Sequence, residues 1–395
     1  MDGRTLSYLR GRFGDYYAGI VEPAGFSERG AGGVVHPREP DAREWAYVGF
    51  ERGMVRHLSL LELGDVEAWL VDESPRHVYY SSARYERPGH EEMSSKGWRS
   101  ADLIFDLDAD HLKDYDPDAG RSETLALCKD ALQRLLDFVE DDLAFDDVDV
   151  VFSGGRGYHV HVYDERARGL DGAARREVVD YVKGTGLRAE HMFADETAEG
   201  DYGRKTPARR RRLDAGAWSR RIRDGVLEYV DTVLDLPEDE ALERLKQHDS
   251  VGEARAERLL RVFEDRRDEI ADGNLDVAGG VRAFWDDLVE RAVDDVAAET
   301  DEPVTTDTRR LIRLPGSLHG GTGLRVVPLD DREELDDFEP LVDAVAFSDR
   351  DLAVETSERM KVEVGGRKFN VERGETVLPE YAAVHAMLNG AELSR

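Results

Sequence analysis

Three short stretches of the chain carry the apolar pattern of β-strands. Residues 103–108 read Leu-Ile-Phe-Asp-Leu-Asp, and residues 148–152 form a second apolar run. Residues 158–163 alternate histidine with aromatic residues and valine. Because successive side chains of a strand point to opposite faces, Asp106 and Asp108 are predicted to share one face of the first strand.

Helical spacing characterises much of the remaining sequence. Residues 5–18 predict a helix with aromatic residues on its apolar side. In 124–139, apolar residues recur every three or four positions and include Cys128, which we expect to be a small core residue. Residues 217–296 predict a helical region with breaks at 235–240 and 270–274.

These elements predict an α/β (α+β) core with a mixed sheet and an inserted helical subdomain. The predicted domains are a first part of the core (1–185), a basic loop with the helical insertion (186–298), a return of the core (299–345) and a C-terminal hairpin with a helix (346–395). Shorter predicted elements are a hairpin over 45–60, a strand within 323–329, an acidic surface turn over 330–337, a hairpin around Gly365 and a helix from Pro379.

The paired aspartates are the first candidate for chemistry. Asp106 and Asp108 lie roughly 6.6 Å apart along the predicted strand, a spacing from which both could reach two divalent ions about 4 Å apart. Two carboxylates on a buried strand are destabilising unless a cation compensates them. The alternative interpretation is a strand that runs out into an acidic loop.

A glycine-rich loop, Ser-Gly-Gly-Arg-Gly at 153–157, connects the second and third predicted strands. Glycines let backbone N–H groups approach an anion closely, and Arg156 adds a planar cation. The loop is therefore a candidate phosphate cradle. It is not a Walker A loop, because no Gly-Lys-Ser/Thr follows and the next element is a strand. A hairpin turn with a solvated Arg156 is the alternative.

Composition limits the environment of the protein. The 395 residues carry a net charge of −32, and only 8 of the 54 lysine and arginine residues are lysines. We interpret this composition as adaptation to a high-salt cytoplasm, where salt screens the repulsion. The single cysteine excludes a disulfide framework, no apolar run approaches the roughly 18 residues of a membrane span, and the N-terminus lacks an apolar signal core. We therefore expect a cytoplasmic protein.

One segment, 204–223, is basic in this acidic chain. Its centre is the run Arg209, Arg210, Arg211 and Arg212. Pro207 and the nearby glycines predict a loop or a domain boundary. Phosphate backbones favour basic surfaces, so contact with a nucleic-acid template is one interpretation. A solvated loop or an interface arm is the other.

The paired aspartates, the glycine-rich loop and a later stretch together resemble the catalytic small subunit of the archaeal and eukaryotic DNA primase family. The resemblance lies in Asp-Leu-Asp at 106–108, in Ser-Gly-Gly-Arg-Gly-Tyr-His at 153–159, and in 301–319, which begins Asp-Glu-Pro-Val-Thr-Thr-Asp and ends Arg-Leu-Pro-Gly-Ser-Leu-His. The three stretches follow the family's order and spacing, and 43–59 looks like its N-terminal region. With the composition, this resemblance indicates a salt-adapted archaeal source.

The resemblance implies roles for individual residues. Asp106, Asp108 and Asp301 would hold the catalytic metals. Asp307 is the rival for the third position, but alignment from the Leu-Pro-Gly-Ser-Leu-His stretch favours Asp301 and leaves Asp307 to cap the following turn or helix. His161 has no family role, so we expect it to be packed. The implied nucleotide phosphate contacts are Ser153, Gly154, Arg156, His159, Arg313 and His319.

The activity that the family implies is template-directed synthesis of short primers on single-stranded DNA, from NTPs or dNTPs, with the large primase subunit as partner. Attack of a hydroxyl on an α-phosphate is assisted by two metal ions, and carboxylate oxygens suit Mg²⁺ or Mn²⁺. Many family members carry a zinc knuckle after the paired aspartates. Here 110–147 offers only His111 and Cys128, so we predict no zinc.

Two other functions are compatible with the sequence. One is a related primase-polymerase used in end-joining repair. The other is a non-catalytic nucleic-acid-binding subunit that retains the fold. The helical insertion and the Leu-Pro-Gly-Ser-Leu-His stretch favour a primase, and the three intact aspartates count against a non-catalytic role.

Overall fold

The structure, a computed structural model, describes residues 1–21, 33–188, 192–198, 208–213, 216–275 and 280–394, with the backbone alone for 194–198 and 208–211. Two compact units can be distinguished: Met1–Val179 with Glu299–Arg395, and Asp180–Ala298. Sequence analysis placed the corresponding boundaries after residues 185 and 298. None of the described helices has the length and apolar character needed to cross a membrane.

The helices are α1 (Gly3–Tyr17), α2 (Leu60–Leu63), α3 (Val66–Glu73), α4 (Arg121–Asp137), α5 (Glu165–Arg168), α6 (Gly172–Val182), α7 (Ala217–Leu234), α8 (Glu238–Lys246), α9 (Glu253–Ala271), α10 (Arg282–Val296), α11 (Glu302–Thr306), α12 (Arg332–Asp337), α13 (Pro340–Asp343) and α14 (Glu380–Leu388). The strands are β1 (Trp45–Val48), β2 (Met54–Leu58), β3 (His77–Ser81), β4 (Ala83–Tyr85), β5 (Trp98–Ala101), β6 (Leu103–Asp108), β7 (Val148–Phe152), β8 (Gly157–Val162), β9 (Phe193–Ala198), β10 (Ala208–Leu213), β11 (Leu311–Arg313), β12 (Val327–Leu329), β13 (Asp351–Thr356), β14 (Met360–Val364), β15 (Arg367–Val371), β16 (Gly374–Pro379) and β17 (Glu392–Leu393).

Two four-stranded sheets carry the first unit, in the orders β11-β3-β1-β2 and β12-β7-β8-β6. Every strand pair among the described residues is antiparallel, so the predicted mixed sheet is wrong. The reason lies in the glycine-rich loop, which turns the chain directly from β7 into β8. Strands β6 and β12 then pair with the two outer edges of this hairpin, both in the antiparallel sense.

The strand that carries the paired aspartates was predicted correctly. Leu103, Phe105 and Leu107 on one face of β6 are at most 1 % exposed. Helix α4 packs against β6 and β8. Cys128 of this helix is fully buried, which confirms its predicted place in the core. One face of β6 is therefore apolar and covered, and its other face is available for polar chemistry.

A buried ionic cluster fixes the start of β6. The carboxylate of Asp102 accepts hydrogen bonds from Arg43 (2.6 Å) and Arg84 (2.7 Å), and all three side chains are at most 2 % exposed. Arg175 donates to the backbone carbonyls of Asp102 and Ala101. Since buried charges are tolerated only when they are paired, this cluster determines where the strand begins.

The C-terminal segment completes the first unit. The hairpin of β14 and β15 and the helix α14 confirm the predictions for this region. The sheet β16-β13-β17 was not predicted. The predicted acidic turn at 330–337 is wrong, because the segment contains the helix α12, in which Asp331 accepts a hydrogen bond from the amide of Glu334 as an N-cap.

Glu380, the first residue of α14, is completely buried. Its carboxylate accepts hydrogen bonds from Arg12 (2.8 and 3.1 Å), Tyr8 (2.6 Å) and Arg350 (3.1 Å), and also from the hydroxyl of Ser348. Burial alone would raise the pKa of Glu380, but the hydrogen bonds from Arg12, Ser348 and Tyr8 lower it to about 2. The anion therefore ties α1 to α14.

The second unit contains the hairpin β9-β10 and the helices α7 to α10. The predicted break at 235–240 and the end of a helix near 270 are confirmed. A further break between Lys246 and Glu253 was missed. The basic run was predicted as a loop or boundary, but Arg209, Arg210, Arg211 and Arg212 lie in β10. This strand contains neither glycine nor proline and pairs along its whole length with β9.

Candidate active site

The paired aspartates lie on the open face of β6, next to a histidine of β8. The strand register pairs Asp106 with His159 and Asp108 with Gly157. The Nε2 atom of His159 is 3.4 Å from an Oδ1 of Asp106. Its Nδ1 atom is buried and has no hydrogen-bond partner among the described residues. Burial, together with the charge of Arg313, lowers the pKa of His159 to about 3, so the ring is neutral.

Asp301 reaches the same place from the far end of the sequence. Its backbone N–H donates to the carbonyl of Asp106 (2.8 Å), and the hydroxyl of Thr300 donates to the same oxygen (3.1 Å). Asp301 precedes α11 as its N-cap residue. The structure thus brings together two of the aspartates that the family resemblance implied, although 194 residues separate Thr300 from Asp106 in sequence.

The carboxylates of Asp106, Asp108 and Asp301 form a site in which negative charge is concentrated. Burial and the neighbouring charge of Asp301 raise the pKa of Asp106 to about 6, and burial raises the pKa of Asp108. An Oδ1 of Asp108 is buried without a hydrogen-bond partner among the described residues. These features and the all-oxygen donor set fit a hard divalent cation. In the described parts of the chain, however, no three acidic, histidine or cysteine side chains already converge as a complete ligand set.

The glycine-rich loop makes the turn of the β7-β8 hairpin, and the N–H of Ser153 donates to the carbonyl of Gly157 (3.0 Å). Packing allows only glycine at position 157, because a Cβ there would lie 1.7 Å from the carbonyl oxygen of Leu107. Gly154 has a φ of +72°, and a Cβ on it would lie 2.7 Å from Cβ of His319. The loop and the stretch that ends in His319 are therefore in direct contact.

Arg156 projects from this loop towards the aspartates. It donates to Asp108 (3.2 Å) and to Asp110 (2.8 Å), and its side chain is 48 % exposed. Arg121, at the start of α4, supports the loop by donating to the carbonyl of Gly155 (3.0 Å). The cation of the candidate phosphate cradle is thus paired with the carboxylates beside it.

Arg313 lies near Asp106 and His159, and His319 lies against Gly154 of the loop. Arg313 of β11 pairs with Tyr79 of β3, and its Nε is buried without a hydrogen-bond partner among the described residues. His319 packs edge-on against His77, with ring centroids 5.1 Å apart. Burial, together with the charge of Arg313, lowers the pKa of His319 well below its usual value. The histidines therefore offer hydrogen bonds, and the arginines supply the positive charge.

A cleft of about 380 Å³ opens beside Asp106 and His159. Four arginines line it: Arg56, Arg309, Arg310 and Arg313. Sequence analysis assigned a role only to the last of these. The adjacent pair Arg309-Arg310 in an acidic chain was a visible signal, but its proximity to Asp106 depends on the pairing of β11 with β3. Arg56 falls within 43–59, the stretch that resembles the N-terminal region of the family.

The remaining predictions near the site can also be placed. Asp307 accepts a hydrogen bond from the amide of Arg309 (2.8 Å), as expected for a residue that caps the following turn. Its side chain also lines the cleft. His161 is 1 % exposed and lies 3.4 Å from the hydroxyls of Tyr80 and Tyr163, which confirms that it is packed. The side chains of residues 209–211 lie outside the described parts.

Comparisons with known proteins identify the family of this chain. Residues 105–331 match the sequence family described as DNA primase small subunit. Proteins named DNA primase small subunit PriS are 48 % identical in Halorubrum lacusprofundi, 46 % in Haloarcula marismortui and 44 % in Natronomonas pharaonis, in each case over 99 % of this chain and 98 % of the relative.

The family match and these relatives define the chain as a DNA-directed nucleotidyltransferase. More specifically, the chain belongs to the DNA primase small-subunit family, and its relatives come mostly from halophilic archaea, as the composition indicated.

Proposed function

We propose that this chain synthesises short primers on single-stranded DNA for replication, with two divalent cations, Mg²⁺ or Mn²⁺, held by Asp106, Asp108 and Asp301. The observation that carries the proposal is the hydrogen bond of 2.8 Å from the amide of Asp301 to the carbonyl of Asp106, which joins the C-terminal stretch to the strand of the paired aspartates. When bound, such cations neutralise charge on the attacking hydroxyl and on the leaving pyrophosphate.

The remaining residues have roles in orienting the triphosphate. Arg156 would exchange its contacts with Asp108 and Asp110 for phosphate oxygens of the incoming NTP or dNTP, which leaves Asp108 free to bind a cation. Arg313 has an unused buried Nε that suits a further phosphate contact. The neutral rings of His159 and His319, with Ser153 and Gly154 of the loop, would fix the position of the triphosphate.

We further propose that unit 180–298 is a helical insertion in the catalytic core, and that the large primase subunit is the partner of this cytoplasmic enzyme. The insertion is supported by the two compact units of the chain, because the segments on both sides of 180–298 belong to the first unit.

A priming assay on single-stranded circular DNA tests the activity. The wild-type chain, with and without the large subunit, should form primers when Mg²⁺ or Mn²⁺ is present. Asp106→Asn should lower nucleotide incorporation by several orders of magnitude and leave the melting temperature nearly unchanged. Asp114→Asn, an exposed aspartate on the same segment, is the control and should retain activity. Full incorporation by Asp106→Asn would refute catalysis by this aspartate cluster.

Metal content tests the cofactor proposal separately. The chain offers one cysteine, and the purified protein is expected to contain no stoichiometric zinc. Chelation followed by addition of Mg²⁺ or Mn²⁺ should restore full activity. Elemental analysis that finds about one zinc per chain after dialysis would contradict the ligand assignment for the region from His111 to Cys128.

A further inference from the structure

The rim of the arginine-lined cleft has features that nucleotide binding alone does not explain. Arg309 and Arg310 line the cleft with Asp106, and both are exposed. Neither guanidinium makes a hydrogen bond or an ion pair with the part of the chain that the structure describes. Arg56, by contrast, pairs with Glu44 (3.1 Å). Two unpaired cations are notable in a protein with a net charge of −32.

An exposed aromatic residue lies beside these two arginines. Trp98 of β5 is 38 % exposed. Its indole N–H donates to the carbonyl of Thr308 (3.3 Å), the residue that immediately precedes Arg309. The hydrogen bond holds the indole next to the segment that carries Arg309 and Arg310. Arg99, the next residue of β5, is also exposed.

An aromatic surface next to arginines matches what single-stranded nucleic acids need. A base stacks on the aromatic ring whatever its identity, and the neighbouring phosphates pair with the cations. We propose that Trp98, Arg309 and Arg310 bind single-stranded DNA at the edge of the catalytic cleft, with one base stacked on Trp98 and adjacent phosphates held by the two arginines. This inference rests on the proposed function, since it places the template strand beside the aspartate cluster.

Fluorescence anisotropy with a labelled oligothymidylate, in the absence of metal and nucleotide, measures the stacking contact. Trp98→Ala should raise Kd roughly tenfold, because it removes the stacking surface. Trp98→Phe should stay within about threefold of the wild type, since phenylalanine still stacks. A thermal melt of each variant shows that it is folded. Equal Kd values for Trp98→Ala and the wild type would overturn the stacking assignment.

The salt dependence of binding measures the phosphate contacts. The double variant Arg309→Gln with Arg310→Gln should flatten the slope of log Kd against log salt by about 1.4, at roughly 0.7 for each phosphate of a single strand. The matched control is Arg359→Gln, which changes an arginine 81 % exposed and paired with Glu372 on the C-terminal hairpin. Its slope should equal that of the wild type. An unchanged slope in the double variant would refute the phosphate contacts.

Two further measurements distinguish DNA binding at the rim from nucleotide binding and from the proposed catalysis. If the rim variants weaken binding of free ATP but not of the oligonucleotide, the rim belongs to the nucleotide site and the inference is wrong. Asp106→Asn should bind the oligonucleotide with unchanged Kd while losing synthesis. If Asp106→Asn instead retained synthesis, the proposed catalysis would fail, yet the oligonucleotide measurements would still decide whether the rim binds DNA.

Discussion

At the scale of single residues, the two aspartates near the start of the C-terminal stretch have different surroundings. Asp301 is hydrogen-bonded through its backbone to Asp106 and raises the pKa of that neighbour. Asp307 accepts a local hydrogen bond from the amide of Arg309 (2.8 Å). The position of Asp301 therefore suits a ligand of a cation shared with Asp106. The position of Asp307 suits a residue that caps a turn.

Substitution should separate these two roles. Asp301→Asn is expected to abolish primer extension, because it removes a charge from the proposed cation site. Asp307→Asn is expected to retain most of the activity at saturating Mg²⁺ and to lower the free energy of unfolding by about 1 kcal/mol or less. Steady-state extension assays beside thermal melts measure both effects. The opposite order of damage would assign the third ligand to Asp307.

Substitution of Gly157 gives a second prediction for a single residue. Gly157→Ala would place a Cβ 1.7 Å from the carbonyl oxygen of Leu107, so β6 and β8 could not keep their present separation. We expect a loss of about 3 kcal/mol in the free energy of unfolding, measured by denaturant titration. Gly169→Ala is the control, because a Cβ there would meet no atom within 4 Å. A Gly157→Ala variant as stable as this control would contradict the described register.

At the scale of elements, the position of β6 depends on a buried ionic cluster. Asp102→Ala leaves the guanidinium groups of Arg43 and Arg84 buried without their shared carboxylate, which should cost about 3–5 kcal/mol in the free energy of unfolding. The matched control is Asp147→Ala, which breaks an exposed pair with Arg38 and should cost about 1 kcal/mol or less. Similar losses in chemical denaturation of both variants would show that the cluster does not anchor the strand.

The elements also show how far sequence alone could lead. The positions of β6, β7 and α4 could be predicted because they depend on local apolar spacing, although α4 begins at Arg121 rather than at Thr124. The antiparallel pairing of β7 with β8 follows from the short loop between them. The edges that β6 and β12 join could not be predicted, since long stretches of chain separate both strands from this hairpin. The same limit applies to the site. Asp106, Asp108 and the glycine-rich loop could be identified from the sequence pattern, and Asp301 from the resemblance. The partners of Asp102 and the place of Arg310, by contrast, depend on contacts between distant residues.

At the scale of the whole molecule, Glu380 links both ends of the described chain. Because its pKa is lowered in the folded state, its stabilisation is fully present above the unfolded pKa of about 4.5. That stabilisation is lost as the pH falls through about 2. This pH dependence of stability is the one expected for a carboxylate whose charged form is favoured in the folded state.

The free energies of unfolding of wild type and Glu380→Gln should therefore differ most at neutral pH, by about 3 kcal/mol or more. The difference should narrow as the pH is lowered from about 4.5 towards 2. Denaturant titrations over a pH series measure it. Glu372→Gln changes an exposed carboxylate and should match the wild type throughout. A difference for Glu380→Gln that does not depend on pH would show that lost packing, not charge, is responsible.

The contacts of α1 with Glu380 and with the carbonyl of Ser394 also have a consequence for co-translational folding on the ribosome. The helix leaves the exit tunnel early, but its partners are translated some 370 positions later. At about 5–20 residues per second, this interval is roughly 20–75 s. During that time Leu9 and Phe13, which are fully buried in the finished fold, have no completed surface to cover them. In a nascent chain, Phe13 can pack against Phe50 early, but the apolar side of α1 stays partly uncovered until Phe347 and α14 have been made.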